Sequence, residues 1–270
     1  MRALVTVMGL HLSALIAFAQ DPTTATERHQ LADGLYARGM YELAAAEYEA
    51  LLGESDRVAG ADAAYFRLGE CQRHRGNLSA ADKAFKRVFE KYPDSAFRHR
   101  AGFRRAKLFM DADKLESAVP LYEALLATEP PPDIDEPAHY HLGDAYMQTA
   151  KPAKAKRQFG IVRQQFPDSP FTVYATLKLA SLETDASGEP GLDAVTLFNE
   201  VLGKSTSDRV SAEAIFQLAE IRYARGEFDK SATLFERLLK EFPEDQRTAG
   251  AWMRAAWVAL KAGLYADALK

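Results

Sequence analysis

Apolar positions in this chain come as pairs of short runs, each run spaced for one face of a helix, and the pair recurs at a step of 37 residues. In one pair, Tyr65, Leu68, Gly69 and Gln72 share a helix face and Gly76 ends the helix. Ala81, Phe85 and Val88 follow at spacings of four and three. They form a second amphipathic helix, which stops at Tyr92-Pro93 because proline has no N–H with which to continue it. The unit is therefore a helical hairpin. Gly69 is expected to leave room for a neighbour's backbone, and Phe85 to fill the space between one hairpin and the next. No hairpin buries its apolar face alone, so stacking is obligatory.

The step links several residue series in one phase: Ala64, Ala101, Ala138 and Ala175; Ala32, Gly69, Ala106, Gly143 and Ala180; Ala44, Ala81, Ala118 and Ala155. It also links Tyr48, Phe85, Tyr122 and Phe159, then Leu51, Val88, Leu125 and Val162, then Pro93, Pro130 and Pro167. A shared period this long marks a stack of one supersecondary unit. After a slip of two residues the register resumes at Ala214, Ala219, Ser231, Phe235, Leu238 and Pro243, then at Ala251, Ala256 and Ala268. The expected fold is all-α, about seven hairpins over 26–270. The units are approximately 26–60, 61–97, 98–134, 135–171, 172–210, 211–247 and a truncated 248–270. Asp185 to Gly191 reads as a loop insertion that causes the slip. Pro130-Pro131-Pro132 and Asp133 to Pro137 are expected to hold extended backbone and stiffen the third-to-fourth joint.

The Leu-Gly pairs Leu68-Gly69 and Leu142-Gly143, the later Gly39-x-Tyr41 and Gly226-x-Phe228, and the Ala, aromatic, Pro order together resemble the tetratricopeptide repeat. The resemblance covers roughly residues 26 to 270 and implies a right-handed superhelix. The usual family period is shorter, and the extra residues fall after the proline. In Phe166-Pro167-Asp168-Ser169-Pro170, Asp168 and Ser169 are cap candidates before a proline at a natural first helical position, so the next helix is expected to begin a turn early. Repeats of this kind look like those of bacterial cell-envelope proteins. They are similar to those of the Tol-Pal-associated periplasmic repeat protein and of the helical lipoprotein of the barrel-assembly machine.

Composition narrows the class without deciding it. With 47% hydrophobic residues, 12 prolines and a net charge of −4, nothing points to nucleic acid. Met1-Arg2, the apolar run Ala3 to Phe18 and the small-x-small site Ala17-Phe18-Ala19 read as a signal peptide over 1–19, too short to span a bilayer, with an uncleaved anchor as the alternative. Residues 20–25 form a polar lead-in, and Thr24 with Glu27 makes a capping box. At the other end Tyr265, Ala268 and Leu269 open a helix that Lys270 truncates, so the parent protein is expected to continue. Cys71, the only cysteine, reads as a small buried thiol.

No catalytic constellation is found, and no enzyme activity, cofactor or metal is expected. His139 and His141 point to different sides of a helix, while His29, His74 and His99 read as surface histidines. By the resemblance, first helices line a concave groove. Phe66, Phe103, Tyr140, Leu177, Phe216 and Met253 form one row there, and Tyr36, Arg73, Met110, Met147 and Tyr223 a second, interleaved with Glu70, Lys107, Asp144 and Glu220. Aromatics and methionines on a groove suit capture of a peptide, and packing between units is the alternative. Arg98, His99, Arg100, Arg104, Arg105 and Lys107, with Arg73, His74 and Arg75, form the one dense basic region. Arg100 and Arg104 match part of the carboxylate clamp of some tetratricopeptide co-chaperones, but His29 and Asp33 stand where a lysine and an asparagine would be needed. A site for acidic partners and a solvated face are the other readings of this region. The expected function is an exported scaffold of the periplasm or cell envelope that binds other proteins, in a membrane-associated complex but without an integral span. Its rivals are the recruitment region of an envelope enzyme encoded beyond Lys270 and a plain structural spacer.

Overall fold

The pairs of sequence runs become pairs of helices, and at five turns between paired helices Gly or a residue forced into its backbone region reverses the chain. The structure, a computed structural model, describes residues 24–54, 58–185 and 192–261. The signal-peptide segment, the loop insertion and the segment from Tyr265 onward fall largely or wholly outside these residues. The helices are α1 (Ala25–Ala37), α2 (Tyr41–Glu54), α3 (Ala61–His74), α4 (Leu78–Lys91), α5 (Arg98–Asp111), α6 (Leu115–Leu126) and α7 (Pro132–Gln148). After them come α8 (Pro152–Gln165), α9 (Pro170–Asp185), α10 (Leu192–Lys204), α11 (Asp208–Ala224), α12 (Phe228–Glu241) and α13 (Thr248–Lys261). Among the described residues there is no strand, and the fold is an all-α repeat of helical hairpins.

The described residues divide into two compact units between Leu121 and Tyr122. In the first, each helix from α1 to α5 packs on the next, and α1 also touches α3. The second repeats the arrangement from α7 to α13, with α9 touching both α7 and α11. Thr24 caps α1 with the predicted box: its hydroxyl accepts from the Glu27 N–H and the Glu27 carboxylate accepts from the Thr24 N–H, both at 3.1 Å.

Each described turn after a first helix holds one left-handed residue. Gly39, Gly76 and Gly226 take it with φ of 74°, 73° and 72°, and at the same repeat position Asp113 and Ala150 are forced to 56° and 54°. A side chain there is strained. The seam of each hairpin is set by a small residue facing a ring. Tyr48, Phe85, Tyr122, Phe159, Phe198 and Phe235 are all fully buried. The expectation that Gly69 admits a neighbour's backbone is corrected. A Cβ added at Gly69 would lie 2.6 Å from the Phe85 ring of its own hairpin, and one at Gly143 2.7 Å from that of Phe159. Phe85 also reaches the next hairpin, in a cluster with Ala101 and Leu108.

The joints use the predicted Pro-Asp-Ser motif, and the serine does the capping. Ser95 accepts from the Phe97 N–H at 3.0 Å and donates to Asp62 at 2.5 Å; Ser169 accepts from the Phe171 N–H at 2.9 Å and donates to Glu136. At Pro243 an aspartate replaces the serine, and Arg247 bridges Asp245 to Glu213, each at 2.8 Å. As expected, α9 starts early, at Pro170. The tri-proline joint departs from expectation. Pro131 is extended (ψ 157°), but Asp133 to Pro137 lie inside α7, because Pro132 sits in the first turn where its missing N–H costs nothing.

Candidate functional site

What the first helices carry on their outward rows is decided by which positions the seams leave over. One repeated device occupies part of that surface: an acid on one first helix pairs with a base 34 positions on, in the next first helix. Asp33–Arg67 closes at 2.5 Å and Glu70–Arg104 at 3.2 Å in the first unit, Asp144–Lys178 at 3.8 Å and Glu220–Arg254 at 3.2 Å in the second. One of these carboxylates is buried and another half-buried. The Glu70 side chain is 7% exposed, and burial pushes the Glu220 carboxyl above its ordinary range against the weaker pull of Arg254. Asp33, which stood at a clamp position, also accepts from the Tyr48 hydroxyl at 2.6 Å, so it is consumed inside the hairpin.

The predicted residues divide accordingly. In the first unit, Phe66 is half-buried, stacked on Phe97 at 5.0 Å and tilted on Phe85 at 5.8 Å. Phe103 and Met110 are half-buried. Tyr36 packs edge-on to Tyr41 at 5.8 Å, and burial raises its phenol above the usual value. Arg73 donates to Glu70 at 3.0 Å, Arg104 shares the same carboxylate, and Lys107 pairs with Asp111. Arg100 is exposed and has no ion pair or side-chain hydrogen bond among the described residues.

In the second unit Tyr140 packs on Phe159 and Phe171 at 5.9 and 5.2 Å, and burial raises its phenol to about 12. Met147 is half-buried. Leu177 is only 4% exposed, so its place in an open row is corrected: the packing alternative holds there. Phe216 leans on Phe235 at 5.7 Å, and Tyr223 on Phe228 at 5.6 Å. Phe66, Tyr140 and Phe216 thus each lie against their own hairpin's wedge ring. Sequence reasoning missed Trp257 and Leu260. They lie one repeat step past Glu220 and Tyr223, and a ring at a position mostly acidic elsewhere was the signal available. Trp257 donates its indole N–H to the Tyr223 hydroxyl at 2.9 Å. With Phe216, Gly250, Met253 and Leu260 it lines an open, mostly apolar pocket of about 760 Å³, in which Met253 is 73% exposed.

The other candidate groups do structural work. Cys71 is fully buried, and burial raises its thiol to about 11. His139 faces Asp135 and Gln158, whereas His141 stacks on Tyr122. The surface reading of His29 is corrected: its side chain is 20% exposed, lies 3.8 Å from Asp33 and fits against Gly60, where a Cβ would come within 2.9 Å of the ring. His99 is half-buried, and His74 is exposed and stacked on Tyr41 at 4.0 Å. Among the described residues no cluster of three His, Cys, Asp or Glu is placed to hold a metal ion, and no helix is long and apolar enough to cross a membrane.

A tetratricopeptide-repeat family model matches residues 63–95 and 138–169, and a second one matches 216–270. No curated protein matches the chain by sequence. Solved structures match in fold. A tetratricopeptide repeat protein from Parabacteroides merdae is 19% identical, with 90% of this chain and 89% of that one covered and a TM-score of 0.60. PilF of Pseudomonas aeruginosa is 18% identical over 82% of this chain and 93% of its own, at 0.56. YrrB, described as having an unusual peptide-binding site, is 11% identical over 76% and 96%, at 0.58. Three stretches of the chain thus match tetratricopeptide-repeat models by sequence, and its helical hairpins share the fold of these solved repeat structures.

Proposed function

We propose that the chain is an exported, non-enzymatic scaffold whose first helices form a concave groove that holds peptides or loops of other cell-envelope proteins. The observation that carries this reading is the outward face of α11 and α13. There Phe216, Met253, Trp257 and Leu260 line an open, mostly apolar pocket, and the half-buried Phe216 and Tyr223 continue the row of rings. Rings and thioethers there give large apolar contact at small entropic cost. Export is supported by the basic start, apolar run and Ala17-Phe18-Ala19 site of the first 19 residues.

The test is crosslinking of residues 20–270 in periplasm, with identification of the captured peptides and titration of those peptides against variants. Met253→Ala with Trp257→Ala is expected to weaken a captured peptide by at least ~2 kcal/mol, the scale of interface hot spots. Circular dichroism checks that the variant is folded. Normal binding by the folded variant sends recognition elsewhere, and a wild-type chain that captures nothing overturns the scaffold reading. Mass spectrometry of periplasmic material is expected to show Gln20 at the N-terminus; intact Met1 in a membrane fraction favours the anchor.

A further inference from the structure

Along the first helices the acid–base rungs set a rule, and α5 reverses it. The acid position of the rung passes from Asp33 to Glu70 and returns at Asp144 and Glu220; on α9 it is the neutral Ser181, and on α5 it is Lys107. One turn and two turns before Lys107 stand Arg104 and Arg100, so three cations line one stripe of α5 at i, i+4 and i+7. Arg73 of α3 joins them through Glu70, whose single buried carboxylate is divided between Arg73 and Arg104. Four cations therefore face two carboxylates, the second being Asp111.

The existing partners leave most of that charge available. Glu70 touches one edge of each guanidinium, and Arg104 keeps its side chain 46% exposed. Lys107 holds Asp111 in an i, i+4 pair in which the aspartate is 61% exposed, among the weakest kinds of ion pair. Arg100 has no partner among the described residues. Phe103 lies half-buried within the stripe, beside the cations.

Given the scaffold reading above, on which this rests, the geometry points to α3 and α5 as the place where an extended acidic segment of the partner polypeptide docks. Arg100 and Lys107 are separated by about 10 Å of helix rise, seven residues at about 1.5 Å each. In an extended chain, side chains on one face repeat about every 7 Å, so carboxylates at alternate positions span the stripe while the intervening side chains turn away from it. A single C-terminal carboxylate would satisfy one point of this line and leave the rest unmatched. Glu70 and Asp111, set among the cations, disfavour a continuous phosphate backbone.

The probe is a fluorescein-labelled peptide of alternating glutamate and leucine, titrated by anisotropy against the full mature chain beside its glutamine counterpart. The glutamate peptide is expected to bind about tenfold tighter at low salt, and the preference to shrink at about 0.5 M salt as the charges are screened. Arg100→Glu with Lys107→Glu is expected to erase it without changing the circular dichroism. If the reversal variant unfolds, Arg100→Gln with Lys107→Gln is expected to reduce the preference at least threefold. Equal binding of the two peptides overturns the inference, as does a preference that survives in the folded variant, or an oligothymidylate that outcompetes the glutamate peptide. A reversal variant that still captures the wild-type envelope partners also overturns it while the scaffold reading stands. A wild-type chain that captures none sinks the scaffold reading instead, and the titration still decides this one.

Discussion

The pairs α3 with α5 and α11 with α13 share a rung and differ in almost everything around it. Glu70–Arg104 and Glu220–Arg254 both close at 3.2 Å, and each glutamate has its Oε1 buried without an aligned hydrogen bond. Around the first lie Arg73, Arg100 and Lys107; around the second, at corresponding positions or next to them, lie Tyr223, Met253, Trp257 and Leu260. The rung belongs to the scaffold, because it is held where two first helices meet. The flanking positions are released from packing, and they differentiate one stretch into a cationic stripe and the other into an apolar pocket.

The largest test of that division is at the seams, which the comparison says must be equivalent. Phe85→Ala, Phe159→Ala and Phe235→Ala are each expected to cost roughly 3–5 kcal/mol, since each removes a fully buried ring. Hydrogen exchange resolves the loss hairpin by hairpin, which global melting of a repeat array blurs. A large cost at Phe85 with a small one at Phe235 would break the equivalence. Next in size, Gly69→Ala and Gly143→Ala are expected to cost about 1–3 kcal/mol, because the new methyl enters the facing ring. Ala219→Gly, in a seam already built around a methyl, is expected to cost only about 1 kcal/mol.

The turns give a smaller effect of opposite sign. Ala150 holds φ 54° where Gly76 and Gly226 hold φ of 73° and 72°. Ala150→Gly is expected to stabilise its hairpin by about 0.5–1 kcal/mol, the left-handed strain relieved less the entropy that glycine adds to the unfolded chain. Denaturant midpoints measure it. A destabilised variant would mean that the alanine methyl is held by contacts stronger than the strain.

The hairpins, their caps and their wedge rings were legible because each is written as a local spacing repeated many times. Phe85, Tyr48 and Ser169 serve as the period and joint motif imply, and the rungs are visible once residues 34 apart are compared. Three things were not legible. The period cannot say which neighbour fills the space at Gly69, since backbone and ring both demand a missing Cβ. Leu177 occupies a row position yet is buried, because exposure depends on the fit of adjacent helices more than on phase. Asp133 to Pro137 read as extended backbone yet belong to α7, because a proline such as Pro132 tolerates a helix's first turn as readily as an extended joint.

The smallest expected effect separates a rung from an ordinary ion pair. Glu200 accepts from Arg163 at 2.7 Å and is 22% exposed, and that hydrogen bond holds its carboxyl below the usual range. Its pairing therefore stabilises the fold above the unfolded-state pKa and is lost as pH falls through the lowered folded value. Glu220 works the other way. Partial burial, with its Oε1 shielded from water, holds its carboxyl above the usual range, so its contribution is fullest at low pH and is lost as pH rises through the raised value, where a half-buried charge must be carried against only partial help from Arg254. Relative to wild type, Glu200→Gln is expected to lose up to about 1 kcal/mol at neutral pH and less in acid. Glu220→Gln is expected to be least harmful at neutral pH, because it removes the half-buried charge and leaves Arg254, 49% exposed, hydrated. Urea unfolding of both variants and wild type at about pH 3.5 and about pH 7 brackets the carboxylate range, and the other carboxylates cancel in the differences. Opposite slopes for the two variants support a rung kept for register at some cost in charge burial. Matching slopes would make it one more surface pair, and the contrast between α3–α5 and α11–α13 would then rest on the flanking residues alone.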